Sequence, residues 1–269
     1  MVLNARVAEA LNRPRAEEEH ILKAVLIDLD NTLIRFNEED FFRAYIPKVA
    51  KAFCDIMPFP LFYKKLIASS QALLKSDGSV SNAVYFSNTF SQGFEDRREE
   101  LWKRFMDFYR TGFDPLKRLV TIPEGNPDLI DRLQEKNLKV VIASNPLWPM
   151  AVQKMRLAWA GLEHRSFDLI TSIENMSFCK PRIEYYREVC KKIQERPEQC
   201  LMVGNDPVND MVVTEIGMKT YLVEDGDAAS VGPLSLSHEI RKGMDARKHV
   251  PDFRGTLANL ASVVDLLRS

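Results

Sequence analysis

A short apolar run that stops on two acids, close to the start of the chain, limits the folds open to it. Ala24 to Ile27 is continuously apolar and only four residues long, the pattern of a parallel strand buried on both faces. Asp28 follows at once, Asp30 comes after one residue, and Thr32 stands two places further on. Two carboxylates at the end of a buried strand repel each other and are costly unless a cation or a proton separates them. Strand ends in open α/β sheets are also where ligands bind. The pair therefore reads as a magnesium-assisted acid and nucleophile; the plainer alternative is a strand cap that starts a turn.

Composition narrows the setting. The chain has 269 residues, 45% apolar and 28% charged, with a net charge of −1. It is long enough for one large domain or two smaller ones, each with its own core. The near-neutral balance offers no basic face for nucleic acid, and no apolar run approaches a membrane span. Residues 1–20 lack the apolar stretch of a secretory signal and read as an extension. Cys54, Cys179, Cys190 and Cys200 form no C-x-x-C pair and are expected as reduced thiols in a cytoplasmic protein. The scattered His20, His164, His238 and His249 give no zinc cluster or serine–histidine triad.

From about Phe36 to Phe113 the apolar residues recur at three- and four-residue spacing, as in Phe41, Tyr45, Val49 and Phe53. That is amphipathic helix periodicity, broken at Pro58 and Pro60. Ser81 or Asn82 is placed to cap a helix. The segment 36–115 is expected as a helical insert whose aromatics fill its own core. From Leu119 strand and helix patterns alternate. Strands are expected at 138–143, 167–172, 201–203 and 220–223. Helices are expected at 128–135, 149–160, 183–194 and, following the stretch 204–210, up to Ile216, with a closing helix at 257–267. The polar stretch 224–252 has little pattern. The expectation is an α/β fold with a Rossmann-like parallel sheet, formed by 21–35 and 116–269 and interrupted by the all-helical insert.

The residues able to do chemistry fall just past the strands or at helix starts: Asp28 and Asp30, then Ser144, then Lys180, then Asp206 and Asp210. Right-handed crossovers put all the carboxyl ends of a parallel sheet on one edge, so these groups can meet. Taken singly, each has a plain role as a cap or a surface charge; the ordered set suits phosphoryl transfer. Asp28 is ionised near neutral pH and can attack phosphorus without a base. Asp30 can protonate the leaving alkoxide and later accept a proton from water. Mg²⁺ offsets the repulsion between phosphate and the acids, with Asp28, Asp30 through its backbone carbonyl, and Asp206 as candidate ligands. Lys180 balances the charge. Ser144, Asn145, Thr32 and Lys180 are the candidate phosphate contacts. Asp210 and Asn205 are expected to support them from behind.

Asp28-Leu29-Asp30-Asn31-Thr32, Ser144 after Val140–Ala143, Lys180 before Pro181, and Asp206–Asp210 after Leu201–Val203 resemble the four motifs of the haloacid dehalogenase-like (HAD) hydrolase superfamily. The resemblance covers about residues 22–35 and 119–225, and the insert by position only. It implies a Rossmann-like core, a mobile helical cap of the C1 type and a Mg²⁺-dependent phosphoaspartyl mechanism on small soluble phosphate esters. Asn31 replaces a common glycine, and Asn205 stands where many relatives carry an acid. Asp30 points away from the dehalogenase branch.

A phosphatase acting on a small phosphorylated metabolite is the leading expectation. A phosphomutase of the same superfamily and a non-catalytic binding protein on the same scaffold are the alternatives. Arg35, Arg43, Arg97, Arg98 and the loop 76–81 could reach a substrate, surface solvation being the plainer role of each arginine; Trp148 either lines the cleft or packs under the cap, and hinges are expected near Phe36-Asn37 and between Pro115 and Leu119. The sequence does not specify the oligomeric state.

Overall fold

The computed structural model describes residues 21–224 and 249–268; the extension 1–20 lies outside them. The strands are β1 (Ala24–Ile27), β2 (Lys139–Ile142), β3 (Leu169–Ile170), β4 (Cys200–Gly204), β5 (Lys219–Val223) and β6 (Phe253–Gly255). They form one six-stranded sheet in the order β3-β2-β1-β4-β5-β6, and every neighbouring pair is parallel. β1 lies at the centre, which is why it carries no polar residue. Val25 and Ile27 pack on one side with Leu129, Ile130 and Val264. Ala24 and Leu26 face the other layer, with Tyr185, Tyr186 and Val189. Successive strand residues point to opposite faces, so two covered faces demand an unbroken apolar run.

Between β1 and β2 the chain makes helices α1 (Glu38–Lys51), α2 (Phe59–Leu73), α3 (Asn82–Phe90) and α4 (Arg98–Thr111). Asn37 caps α1 through Asp40 N–H at 3.0 Å, and Ser81 caps α3 through Val84 N–H at 3.4 Å. α1 runs straight through Pro47, whereas Pro58 and Pro60 do mark the entry to α2. A 3₁₀ stretch, Asp114–Leu119, leads back to the sheet. Arg35 and Thr121, at the two ends of this excursion, exchange both backbone hydrogen bonds at 2.8 Å. The two crossings therefore lie side by side.

Phe53, Phe90 and Phe105 form the centre of the helical lobe, with ring centroids 4.7 to 5.8 Å apart. The same apolar cluster continues into Val152, Trp159, Ile173 and Cys179 of the sheet domain. Phe113 stacks on Trp159 at 5.4 Å. Asn82 N–H and Ala83 N–H donate to Met176 O and Ile173 O at 2.8 and 2.7 Å. The lobe is thus packed onto the sheet domain, and the loop 76–81 belongs to that junction.

The remaining helices are α5 (Asn126–Glu135), α6 (Met150–Trp159), α7 (Ile183–Ile193) and α8 (Leu260–Leu266). Three details differ from expectation. β3 holds two residues, not six. After β4 the chain makes a tight turn and the 3₁₀ helix Met211–Ile216 in place of a full α-helix. β6 had no alternating pattern to announce it, being three edge residues, Phe-Arg-Gly. No helix among the described residues is long and apolar enough to cross a membrane.

Candidate active site

Asp28 leaves β1 and Lys180 leads into α7, yet Lys180 Nζ lies 2.7 Å from Asp28 Oδ1 and 2.7 Å from Asp210 Oδ1. The lysine is 1% exposed. Burial opposes its charge, but the summed attraction of Asp210 and Asp28 outweighs that and holds its pKa well above the ordinary value. Asp210 feels the converse. Burial pushes its carboxyl up to about 7, against the pull of Lys180 and with added repulsion from Asp28 and Asp206.

The turn after β4 fixes the acidic side of the site. Asp210 N–H donates to Asp206 O at 2.8 Å, and Asp206 N–H donates to Asp210 Oδ2 at 3.1 Å. A Cβ on Gly204 would collide with the Asp210 carboxylate, so glycine at the end of β4 lets that carboxylate lie against the backbone. The Asp206 carboxylate accepts from Val208 N–H at 2.9 Å, Asn209 N–H at 3.2 Å and Asn209 Nδ2 at 2.7 Å. The Asn209 Oδ1 atom is buried without a partner.

On the other side, Asn145 Oδ1 accepts from Lys180 N–H at 3.2 Å. Asn31 takes a left-handed conformation, φ 57°, and its side-chain oxygen accepts from Phe36 N–H at 3.0 Å. Asparagine thus does here what glycine does in related turns, and adds a bond across it. Thr32 Oγ1 stands 3.5 Å from both Asp28 Oδ2 and Asn205 Oδ1. Ser144 is fully buried and its hydroxyl has no partner.

One cavity joins these groups. Asp28, Asp30, Asn145, Lys180, Asn205, Asp206 and Asp210 all line it. Thr32 and Ser144 are not on its surface; they are buried behind it. Trp148 does line it. Arg35, Arg43, Arg97 and Arg98 do not: Arg43 pairs with Glu39 and Asp40, and Arg97 pairs with Glu100.

The sequence reading missed Arg156. This residue of α6 is 2% exposed, lines the cavity and forms an ion pair with the Asp30 carboxylate. Arg156 Nη1 also donates to Gln153 Oε1 at 2.8 Å, and Gln153 Nε2 donates in turn to Thr171 O at 2.8 Å. Burial pulls the pKa of Arg156 down to about 9, which leaves it charged at neutral pH. A signal existed. Val152, Gln153, Arg156 and Leu157 share one face at helical spacing, and that face is the buried one.

A family model described as haloacid dehalogenase-like hydrolase matches residues 22–212. The chain belongs to this family. It is 25% identical over 229 residues to a glyceraldehyde 3-phosphate phosphatase of Methanothermobacter thermautotrophicus, covering 84% of this chain and 94% of that protein. It is also 25% identical over 208 residues to the pyrophosphatase PpaX of Bacillus cereus, covering 75% and 83%. Among solved structures, a 2-haloacid dehalogenase from Pseudomonas syringae pv. Tomato aligns with a TM-score of 0.57 at 18% identity, covering 91% and 99%. That likeness concerns the fold alone.

Members of this hydrolase family imply a resident Mg²⁺, and the donor set here can be tested for it. Among the described residues no three His, Cys, Asp or Glu side chains gather closely enough to cage a metal. Mg²⁺ does not need such a cage; it keeps waters and takes one or two carboxylates plus substrate phosphate. The cavity presents the oxygens of Asp28 and Asp206, and the unpartnered Asn209 Oδ1 lies in the same turn. An all-oxygen set suits this hard cation rather than zinc. The Asp30 side chain is engaged by Arg156, so only its backbone carbonyl is left for that role.

Proposed function

We propose that this hydrolase is a Mg²⁺-dependent phosphatase that splits a small phosphomonoester through a phosphoaspartate on Asp28. The observation that carries the reading is the Asp28–Lys180–Asp210 array, with its contacts of 2.7 Å, facing a cavity that also holds Asp30. Both curated relatives bear the names of phosphate-releasing enzymes.

An Asp28 carboxylate oxygen attacks phosphorus, and the bond from phosphorus to the ester oxygen breaks. Asp30 gives its proton to that oxygen as the alcohol leaves. Water then attacks the phosphorus of the acyl phosphate. Asp30 takes the water's proton, and phosphate departs with Asp28 restored. Lys180, 2.7 Å from Asp28 Oδ1, balances charge in both steps. Arg156 orients Asp30 toward the same cavity. Asp28, the Asp30 carbonyl and Asp206 would hold Mg²⁺, which supplies positive charge against the phosphate oxygens. Asn145 and Lys180 face the phosphate, with Asn205 and Asp210 beside them in the lining, and Ser144 and Thr32 support the floor from behind. Residues 36–115 act as the cap that excludes water, and the setting is cytoplasmic.

The test is phosphate release from p-nitrophenyl phosphate with and without Mg²⁺, by the wild type and by Asp28→Asn. Wild-type turnover should need the ion. The variant should lose about a thousandfold or more in kcat with its melting temperature within a few degrees. Near wild-type turnover by Asp28→Asn overturns the nucleophile assignment.

A further inference from the structure

The cavity has two chemically different halves. Its floor is the charged set at the ends of β1 and β4. Its wall comes from the helical lobe and the segment after β2, and includes Phe42, Ile67, Phe86, Trp102, Leu147 and Trp148. Polar groups in the wall are few: Glu38, Ser70, Asn145 and two tyrosines. Those tyrosines, Tyr45 and Tyr109, bond to each other through their hydroxyls at 2.8 Å. Burial raises the pKa of both, so neither becomes an anion.

The cations of the lining are Lys180 and Arg156. Lys180 already holds Asp28 and Asp210. Arg156 already holds Asp30 and Gln153. A second anionic group on a substrate, a carboxylate or a further phosphate, would meet the wall's aromatic rings and the carboxylate of Glu38. It would be desolvated without a partner, which is costly. An aromatic ring or branched hydrocarbon in the same place would bury apolar surface against rings.

We infer that the preferred substrate is a phosphomonoester whose alcohol part is an apolar ring or branched hydrocarbon with no second anionic group. The inference rests on the phosphatase reading for the phosphate end and on the wall for the other. It separates this chain from relatives named for glyceraldehyde 3-phosphate and pyrophosphate.

The experiment compares three esters of primary alcohols, so that the leaving oxygen is alike: 2-phenylethyl phosphate, 2-hydroxyethyl phosphate and carboxymethyl phosphate. With Mg²⁺, kcat/KM for the phenylethyl ester should exceed that for the hydroxyethyl ester by about thirtyfold, as expected for burying a phenyl ring. The carboxymethyl ester should be poorest. Phe42→Ala, at a half-buried wall position, should cut kcat/KM for the phenylethyl ester more than for the hydroxyethyl ester. Equal rates, or preference for the carboxymethyl ester, overturn the substrate class and leave the phosphatase reading standing.

If none of the three releases phosphate, the phosphatase reading fails, and binding decides the inference about the wall. The probes are then the non-hydrolysable phosphonates of the phenylethyl and carboxymethyl compounds, followed by the fluorescence of Trp102 and Trp148. Tighter binding of the phenylethyl phosphonate, by about tenfold or more, supports the inference. Equal or weaker binding overturns it.

Discussion

Lys180 holds two carboxylates at once, and its removal would leave both in a buried place with no counter-charge. Breaking a buried ion pair from one side costs about 3–5 kcal/mol. Lys180→Ala should therefore lower stability by that order in urea unfolding at pH 7, and should abolish turnover. Stability within about 1 kcal/mol of wild type would mean that water already screens the array. Asp210 gives a second check, through pH. Its folded-state pKa is about 7, against about 3.9 in an unfolded chain. Between those values the folded chain keeps a proton that the unfolded chain has released, so this carboxyl makes stability fall as pH rises. Lys180 adds no slope there, because its raised pKa contributes stability that is lost only above pH 10. In metal-free protein, the loss of unfolding free energy from pH 5 to pH 8 should be smaller in Asp210→Asn than in wild type. Parallel curves would contradict the assignment.

Elements differ in how openly the sequence declared them. β1, β2 and β4 were legible because a strand covered on both faces has to be largely apolar, and each ends within two residues of a candidate site residue. β6 was not, since an edge strand this short leaves no period to read, and β3 keeps only two of the six residues expected at 167–172. Asp206 and Asp210 stand at helical spacing, yet the chain beyond them is a 3₁₀ run, Met211–Ile216, and not an α-helix. A single α-turn has the same spacing, and the 3₁₀ run beyond it follows from packing. Arg156 was hidden among helix residues whose apolar neighbours drew attention instead. The Gly204 backbone is where element and site meet. Gly204→Ala should push Asp210 off its seat, misplace Lys180 and cost about tenfold or more in kcat together with several degrees in melting temperature. Unchanged kcat and melting would show that the turn yields freely. For α6, Arg156→Gln removes a cation beside Asp30, and a carboxylate losing a nearby cation holds its proton more tightly. The alkaline limb of kcat should move to higher pH, with kcat lowered. An unmoved limb would place Arg156 outside the proton pathway.

At the scale of the whole molecule, the question is how substrate reaches a cavity roofed by helices packed against the sheet domain. The junction is apolar, with Phe113 stacked on Trp159 at 5.4 Å, and an apolar interface within a chain favours the closed arrangement. Entry and release then require a transient opening, and such steps often limit turnover. The backbone bridge between Arg35 and Thr121 holds the two crossings together, which makes it the natural pivot beside the expected hinges. Hydrogen exchange can follow the motion directly. The amides of Asn82 and Ala83 donate from the helical lobe to Met176 and Ile173 of the sheet domain, so they exchange whenever the lobe lifts. The amides of Arg35 and Thr121 lie at the pivot and should exchange only on deeper unfolding. Trp159 Nε1 donates to the exposed Asp114 at 2.8 Å, a bond worth about 1 kcal/mol. Asp114→Ala should therefore speed exchange at Asn82 and Ala83 by about fivefold and leave Arg35 and Thr121 unchanged. Vanadate with Mg²⁺, filling the floor of the cavity, should slow the first pair alone. If all four amides exchange together, and respond alike to the variant and to vanadate, the lobe does not lift as a separate body.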